Sequence, residues 1–107
     1  MPYLNVYAYP EPLRSDVDAL AGVTLLEFGA PWCPHCIGAQ PLLAAVLAAH
    51  DDVRHLKVED GQGRALDRSF RIKLWPSLLL LRDGTECGRV VRPESQQQIE
   101  RMFALLQ

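Results

Sequence analysis

Apolar and polar positions recur along this chain with two different periods. Residues 3–9 (YLNVYAY) alternate as a strand does, and Pro10 and Pro12 end the run. In residues 12–22 (PLRSDVDALAG), Leu13, Val17 and Leu20 recur at helical spacing, with Gly22 as a stop. Residues 23–30 (VTLLEFGA) are apolar at successive positions, as in a central strand covered on both faces. Residues 34–50 read as a helix with Pro34 in its first turn, where a missing N–H does little harm. Pro41 lies inside that helix and predicts a kink.

The second half continues the alternation. Residues 53–59 (VRHLKVE) form a strand candidate, and Leu66 and Phe70 at i, i+4 predict a short helix. Residues 76–84 (PSLLLLRDG) read as a buried strand closed by the turn pair Asp83-Gly84, with residues 85–91 (TECGRVV) as its antiparallel partner. Ser95 is placed to cap a last helix, with Ile99, Met102, Phe103 and Leu106 on one face. The order β-α-β-α-β-α-β-β-α predicts an α/β fold. Its central mixed sheet would have about five strands, flanked by about four helices, in a single domain over residues 1–107.

Composition narrows the function. About half the chain is apolar, enough for one core, and the net charge of −2 carries no basic stripe for nucleic acid. The start of the chain has no basic and apolar run of the signal-peptide kind, and no apolar run is long enough to span a bilayer. The expectation is a cytoplasmic monomer that binds neither nucleic acid nor membrane. Three cysteines are an odd number for a disulfide-stapled scaffold.

The candidate chemistry lies in residues 28–36, FGAPWCPHC. Cys33 and Cys36, at i and i+3 at the start of a helix, are spaced for a small-ring disulfide. Backbone N–H groups and the helix dipole point at the first sulfur and favour its thiolate, which makes Cys33 a nucleophile at neutral pH. Cys36 sits one turn deeper, shielded and less acidic, placed to resolve a mixed disulfide formed at Cys33. Pro34 fixes a dihedral and removes an N–H. A protonated His35 beside the Cys33 sulfur would favour the thiolate by charge attraction. Two other readings stay open. One is a metal-binding module in which Cys33, Cys36 and His35 hold Cu(I) or zinc. A structural zinc site, however, wants four ligands, and the only further cysteine is Cys87. The other is an interaction subunit that works without redox chemistry.

The segment FGAPWCPHC followed by IGAQP resembles the active-site segment of the thioredoxin family, with its W-C-x-x-C after a central strand and a helix proline, here Pro41, five residues past the second cysteine. WPSLLLLRDG resembles the family's second landmark, a cis-proline opening a strand that ends in a turn glycine, and Trp75-Pro76 and Asp83-Gly84 match it. The likeness runs from about residue 20 to the end. It implies a thioredoxin fold and a protein-disulfide reductase or general thiol–disulfide oxidoreductase in cell redox homeostasis. Such an enzyme would use no bound cofactor, act on protein thiols and disulfides, and be recharged by a reductase or other redox donor.

The resemblance also implies roles. Glu27, six residues before Cys33, takes the place of the family's buried acid and would accept the proton of Cys36. A buried carboxylate without a strong partner has its pKa raised, which suits that task. Pro76 would face the sulfurs, with the Trp75 backbone pairing with an extended substrate, and Trp32 and Arg92 would contact that substrate. His55 falls roughly where a partner lysine of the acid would be. The chain departs from the family at Gly29, where thioredoxins usually carry tryptophan, and at Glu27, where aspartate is commoner. Its dipeptide Pro34-His35 matches that of the DsbA-type oxidases.

Overall fold

A computed structural model describes residues 3–61 and 64–106. Its sheet has four strands: β1 (Val23–Gly29), β2 (Arg54–Glu59), β3 (Ser77–Arg82) and β4 (Thr85–Val91), in the spatial order β2-β1-β3-β4. β1 pairs parallel with β2 and antiparallel with β3, and β3 pairs antiparallel with β4. Four α-helices accompany it: α1 (Arg14–Asp18), α2 (Pro34–Leu47), α3 (Ala65–Ser69) and α4 (Gln96–Phe103). A 3-10 turn, Ala104–Leu106, closes the described chain. The sheet is therefore mixed, as the element order predicts.

The fifth strand, expected at residues 3–9, does not form. The segment runs beside β2, but its backbone makes one ladder-like bond there, from the Ala8 N–H to the Lys57 carbonyl at 2.7 Å. The Leu4 N–H instead donates to Nδ1 of His55 at 2.8 Å. Tyr3 packs on the His55 ring and Tyr7 lies under the Lys57 ammonium, while Val6 and Tyr9 are exposed. The alternation is real as side-chain packing, but the backbone groups go to other partners.

Both faces of the sheet are covered, which explains the unbroken apolar runs of β1 and β3. Period two sends Leu25, Leu78 and Leu80 toward Leu43, Val46, Leu47, Ile99, Met102 and Phe103 of α2 and α4. Leu26, Phe28, Leu79 and Leu81 point the other way, to Val17, Leu66 and Phe70 of α1 and α3. Leu13, expected on the buried face of the first helix, is instead its N-cap and is exposed. Ser95 caps α4 as expected, accepting from the Gln98 N–H. Pro41 stays inside α2, which runs on to Leu47.

The Asp83-Gly84 pair makes the two-residue turn between β3 and β4, and both residues have positive φ, 50° and 81°. A side chain at Gly84 would begin 2.0 Å from the Asp18 carbonyl oxygen, so the turn also packs on α1. In β4 the register shifts by one residue, because Leu80 faces Gly88 while Leu81 faces Glu86. Cys87 is the extra residue of this bulge, half-buried and remote from the other two cysteines in the fold.

One buried polar group stands out. Asp67 on α3 is 2% exposed, and neither carboxyl oxygen has a conventional donor. Burial, then the neighbouring Asp60 and Glu11 carboxyls, push its pKa up to about 9, so it is protonated at neutral pH and donates to one of them.

Two predictions follow from this packing. Gly84→Ala should destabilise the fold by at least about 2 kcal/mol, since it adds left-handed strain to a backbone clash; urea unfolding reads the loss, and an unchanged midpoint would refute the contact. The unfolded chain releases the Asp67 proton near pH 4 and the folded chain holds it to about 9. The folded state thus binds more protons in that window, and its stability falls as pH rises through it. Asp67→Asn removes that dependence. It should gain stability over the parent chain between pH 5 and pH 8 in urea midpoints, and parallel pH profiles would count against a protonated Asp67.

Candidate active site

β1 ends at Gly29, and three residues later the chain enters α2 with Cys33 as its N-cap. The cap is the sulfur itself, which accepts the Cys36 N–H at 3.4 Å. Cys33 is 5% and Cys36 1% exposed. Burial alone would raise the Cys33 pKa, but the Cys36 thiol, the backbone N–H groups of Cys36 and His35 and the charge of Arg92 outweigh it. The net shift is downward. Cys36 is pushed the other way, up to about 12, first by burial and then by donating its S–H to Cys33. The two thiols are thus displaced in opposite directions, Cys33 being the more acidic. His35 is exposed, and it is the His35 backbone N–H that acts on the sulfur.

Gly29 is explained by the sulfur. A Cβ there would lie 2.6 Å from Sγ of Cys36, so any side chain would displace the thiol. An indole does stand by the sulfurs, carried by Trp75, which packs against Ala30, Cys33 and Cys36. Its Nε1 donates to Asp60 Oδ2 at 2.5 Å, and its carbonyl accepts Nε of Arg92 at 2.8 Å. The Arg92 N–H donates to the Pro76 carbonyl at 2.9 Å. The Trp75-Pro76 bond is cis, and Pro76 is buried at the start of β3. Trp32 is 66% exposed and meets Trp75 edge-on, ring centres 5.3 Å apart. Arg92, which on sequence grounds alone would be a surface charge, thus clamps the loop before β3 and bears on Cys33.

Glu27 is fully buried on the α2 side of β1 and, contrary to the premise of a carboxylate without strong partners, has two donors. His55 Nε2 lies 2.8 Å from Oε1, and Gln40 Nε2 donates to Oε2 at 2.8 Å. Because His55 Nδ1 accepts the Leu4 N–H, the ring proton must sit on Nε2. His55 is therefore a fixed donor to Glu27 with no free nitrogen to relay a proton. Gln40 is saturated too. Its amide nitrogen also donates to the Cys36 carbonyl at 2.9 Å, and its oxygen accepts from the Tyr3 hydroxyl and from Lys57 Nζ at 2.8 and 2.9 Å. The residue opposite Glu27 in the sheet register is Lys57, not His55, which lies two positions earlier.

Gln40, Lys57, Asp60 and Tyr3 escape the sequence reading. Gln40 was within reach, since it lies at i+4 from Cys36 and so shares its helix face. Lys57 shares the strand face of His55 by period two. The Asp60–Trp75 bond has no local signal. Of the metal reading, the structure offers little: among the described residues no group of three or more His, Cys, Asp or Glu could hold a metal ion. Among the same residues, no helix is long and apolar enough to cross a membrane.

Comparison with known proteins places this geometry. The thioredoxin family profile matches residues 6–104. Thioredoxin H2-1 of Oryza sativa is 30% identical over 69 residues, 64% of this chain but only half of the rice protein. A thioredoxin of Chlamydia trachomatis is 33% identical over 75 residues, 69% of this chain and 74% of that one. The reduced form of thioredoxin 2 from Pseudomonas aeruginosa PAO1 superposes with a TM-score of 0.84 at 52% identity, covering 96% of this chain and 97% of the other. With the profile spanning nearly all of its length and the paired cysteines at the head of α2, this chain belongs to the thioredoxin family.

Proposed function

We propose that the chain is a thiol–disulfide oxidoreductase that exchanges the Cys33–Cys36 dithiol and disulfide with protein substrates. It would work as a disulfide reductase in a cytoplasmic setting, as a monomer, recharged by a reductase or other redox donor. The observation that carries the reading is the unequal setting of the two thiols: Cys33 Sγ caps α2 and accepts the Cys36 N–H, with its pKa displaced downward, while Cys36 lies one turn inside, pushed up to about 12. Two buried structural thiols would share one environment and one direction.

The steps follow from this asymmetry. The Cys33 thiolate attacks a substrate disulfide, forming a mixed disulfide and releasing the first substrate thiol. Cys36 must then lose its proton to attack Cys33 Sγ and release the second. Glu27 is the nearby buried carboxylate, tied to the Cys36 carbonyl through the Gln40 amide. Release of that amide would free Oε2 to take the proton, while His55 keeps Oε1 oriented. Trp32, Trp75 and the Pro76 loop, clamped by Arg92, form the surface against which a substrate segment would dock. A cytoplasmic setting agrees with the chemistry, since thiols there are kept reduced.

Acceleration of insulin reduction by dithiothreitol tests the reading. Cys33→Ser should abolish it, and Cys36→Ser should instead accumulate a mixed disulfide on Cys33. No acceleration by the parent chain would sink the proposal. Glu27→Gln should slow resolution at pH 7 by roughly 10²-fold, the scale of a lost general base. Its rate should then climb with pH across the alkaline range, as hydroxide takes over deprotonation of the Cys36 thiol. Stopped-flow resolution of a preformed mixed disulfide checks this, and a rate equal to the parent's at pH 7 would remove Glu27 from the proton path.

A further inference from the structure

The residue that follows β4 is held in a conformation its type rarely adopts. Arg92 has φ 51°, in the left-handed region where Cβ crowds the neighbouring carbonyl. The other non-glycine residues with positive φ among the described residues have local reasons. Asp83 is in the two-residue turn with Gly84, and Arg71 follows the cap of α3. Arg92 ends neither a hairpin nor a helix. Its backbone instead brings the side chain over the loop before β3. There Nε donates to the Trp75 carbonyl at 2.8 Å, while the Arg92 main-chain N–H holds the Pro76 carbonyl at 2.9 Å. That uses one of the five donors of the guanidinium. The side chain is exposed and makes no other hydrogen bond and no ion pair among the described residues. The carboxylate nearest along the same loop contacts, Asp60, is already committed to Trp75 Nε1 and the Gly61 N–H. The charge of Arg92 reaches Cys33, whose pKa it lowers. Trp32, Leu74 and Val91, next to Cys33, Trp75 and Arg92 in the chain, are exposed and apolar. The mouth of the site thus offers a fixed cation with free donors on an apolar rim.

We propose that Arg92 selects protein disulfides that carry a side-chain carboxylate next to the attacked cysteine, its two free Nη groups holding that carboxylate while Cys33 attacks. The proposal rests on the redox reading above and names the substrate class it favours. The electron pair of the Cys33 thiolate forms the bond to the near substrate sulfur. The substrate S–S bond breaks, and its electrons leave on the far sulfur. Cys36 then completes the exchange as before.

Electrostatics gives the selection its sign. A carboxylate beside the attacked sulfur sets a second anion against the incoming thiolate, and the chain as a whole carries a net charge of −2. An acidic neighbour therefore ordinarily slows the attack. A guanidinium placed between the two anions reverses this. Its planar fork can take a carboxylate by two parallel N–H bonds, and the bond to Trp75 leaves both Nη groups available for that. The same bond fixes the Nε end, so part of the ordering is done before the substrate arrives. A residue kept in a costly backbone conformation at the mouth of a reactive site is accounted for by this role.

The test uses the reduced full chain and the homodimeric disulfides of two short peptides, capped at both ends, in which the cysteine is flanked on each side by glutamate or by glutamine. Each second-order rate constant is divided by that of the same disulfide with dithiothreitol alone, which removes the peptides' own difference in reactivity. The glutamate peptide should then react roughly fivefold faster than the glutamine peptide, the upper scale of an ion pair open to water. Equal corrected rates in the parent chain overturn the proposal without need of a variant. Salt at about 1 M shortens the screening length to about 3 Å and should bring the ratio toward one. A ratio that salt leaves unchanged overturns the ion pair. Arg92→Gly, which also relieves the positive φ, should bring the ratio to one or below whatever it does to the absolute rates, and an undiminished ratio there overturns the proposal too. A parent chain that reduces both peptides equally leaves the redox reading standing, whereas one that reduces neither sinks both readings together.

Discussion

The structure turns on the unequal setting of two sulfurs one helical turn apart. Cys33 stands at the head of α2, where backbone N–H groups converge on it, and Cys36 donates to it from one turn inside. Burial raises both thiols, and at the deeper Cys36 it is the largest cause, whereas at Cys33 it is outweighed. Hydrogen-bond direction widens the gap: the sulfur that accepts is made the more acidic and the sulfur that donates the less. Everything else near the site either keeps this geometry or supplies a path for the proton that Cys36 retains.

The polar network under α2 keeps it. Glu27 is bonded on one oxygen by a histidine whose tautomer is set by a backbone N–H from the amino-terminal segment, and on the other by Gln40. Gln40 reaches the Cys36 carbonyl, Tyr3 and Lys57 at once and has no capacity left. Through its four hydrogen bonds Gln40 ties Cys36, β1, β2 and the first residues into one polar network. This gives the amino-terminal segment a purpose other than the strand its alternation suggests. It supplies the donor that orients His55 and the Tyr3 phenol that joins Gln40.

On the opposite side of the sulfurs, the loop before β3 is held from three directions. Asp60 takes the Trp75 indole, Arg92 takes the Trp75 carbonyl, and the Arg92 N–H takes the Pro76 carbonyl. The absence of a side chain at Gly29 and the presence of an indole at Trp75 are two halves of one arrangement. The aromatic cover of the sulfurs comes from the loop, and the end of the central strand leaves room for Cys36 Sγ.

The sequence by itself determined the features whose cause is local. The helix head at Cys33, the Asp83-Gly84 turn, the Ser95 cap and the two-faced apolar strands are each set by a few neighbouring residues, and all are present. The place of the paired cysteines at the head of a helix was legible for the same reason. Only the tertiary structure decided that residues 3–9 stay out of the ladder, that Gln40 and His55 share Glu27, and that Trp75 hangs on Asp60. Period tells which face a side chain takes, but a hydrogen bond depends on register between segments far apart in the chain. Alternation in residues 3–9 was satisfied by packing two tyrosines, and the backbone groups were then free to choose a ring nitrogen over a neighbouring strand.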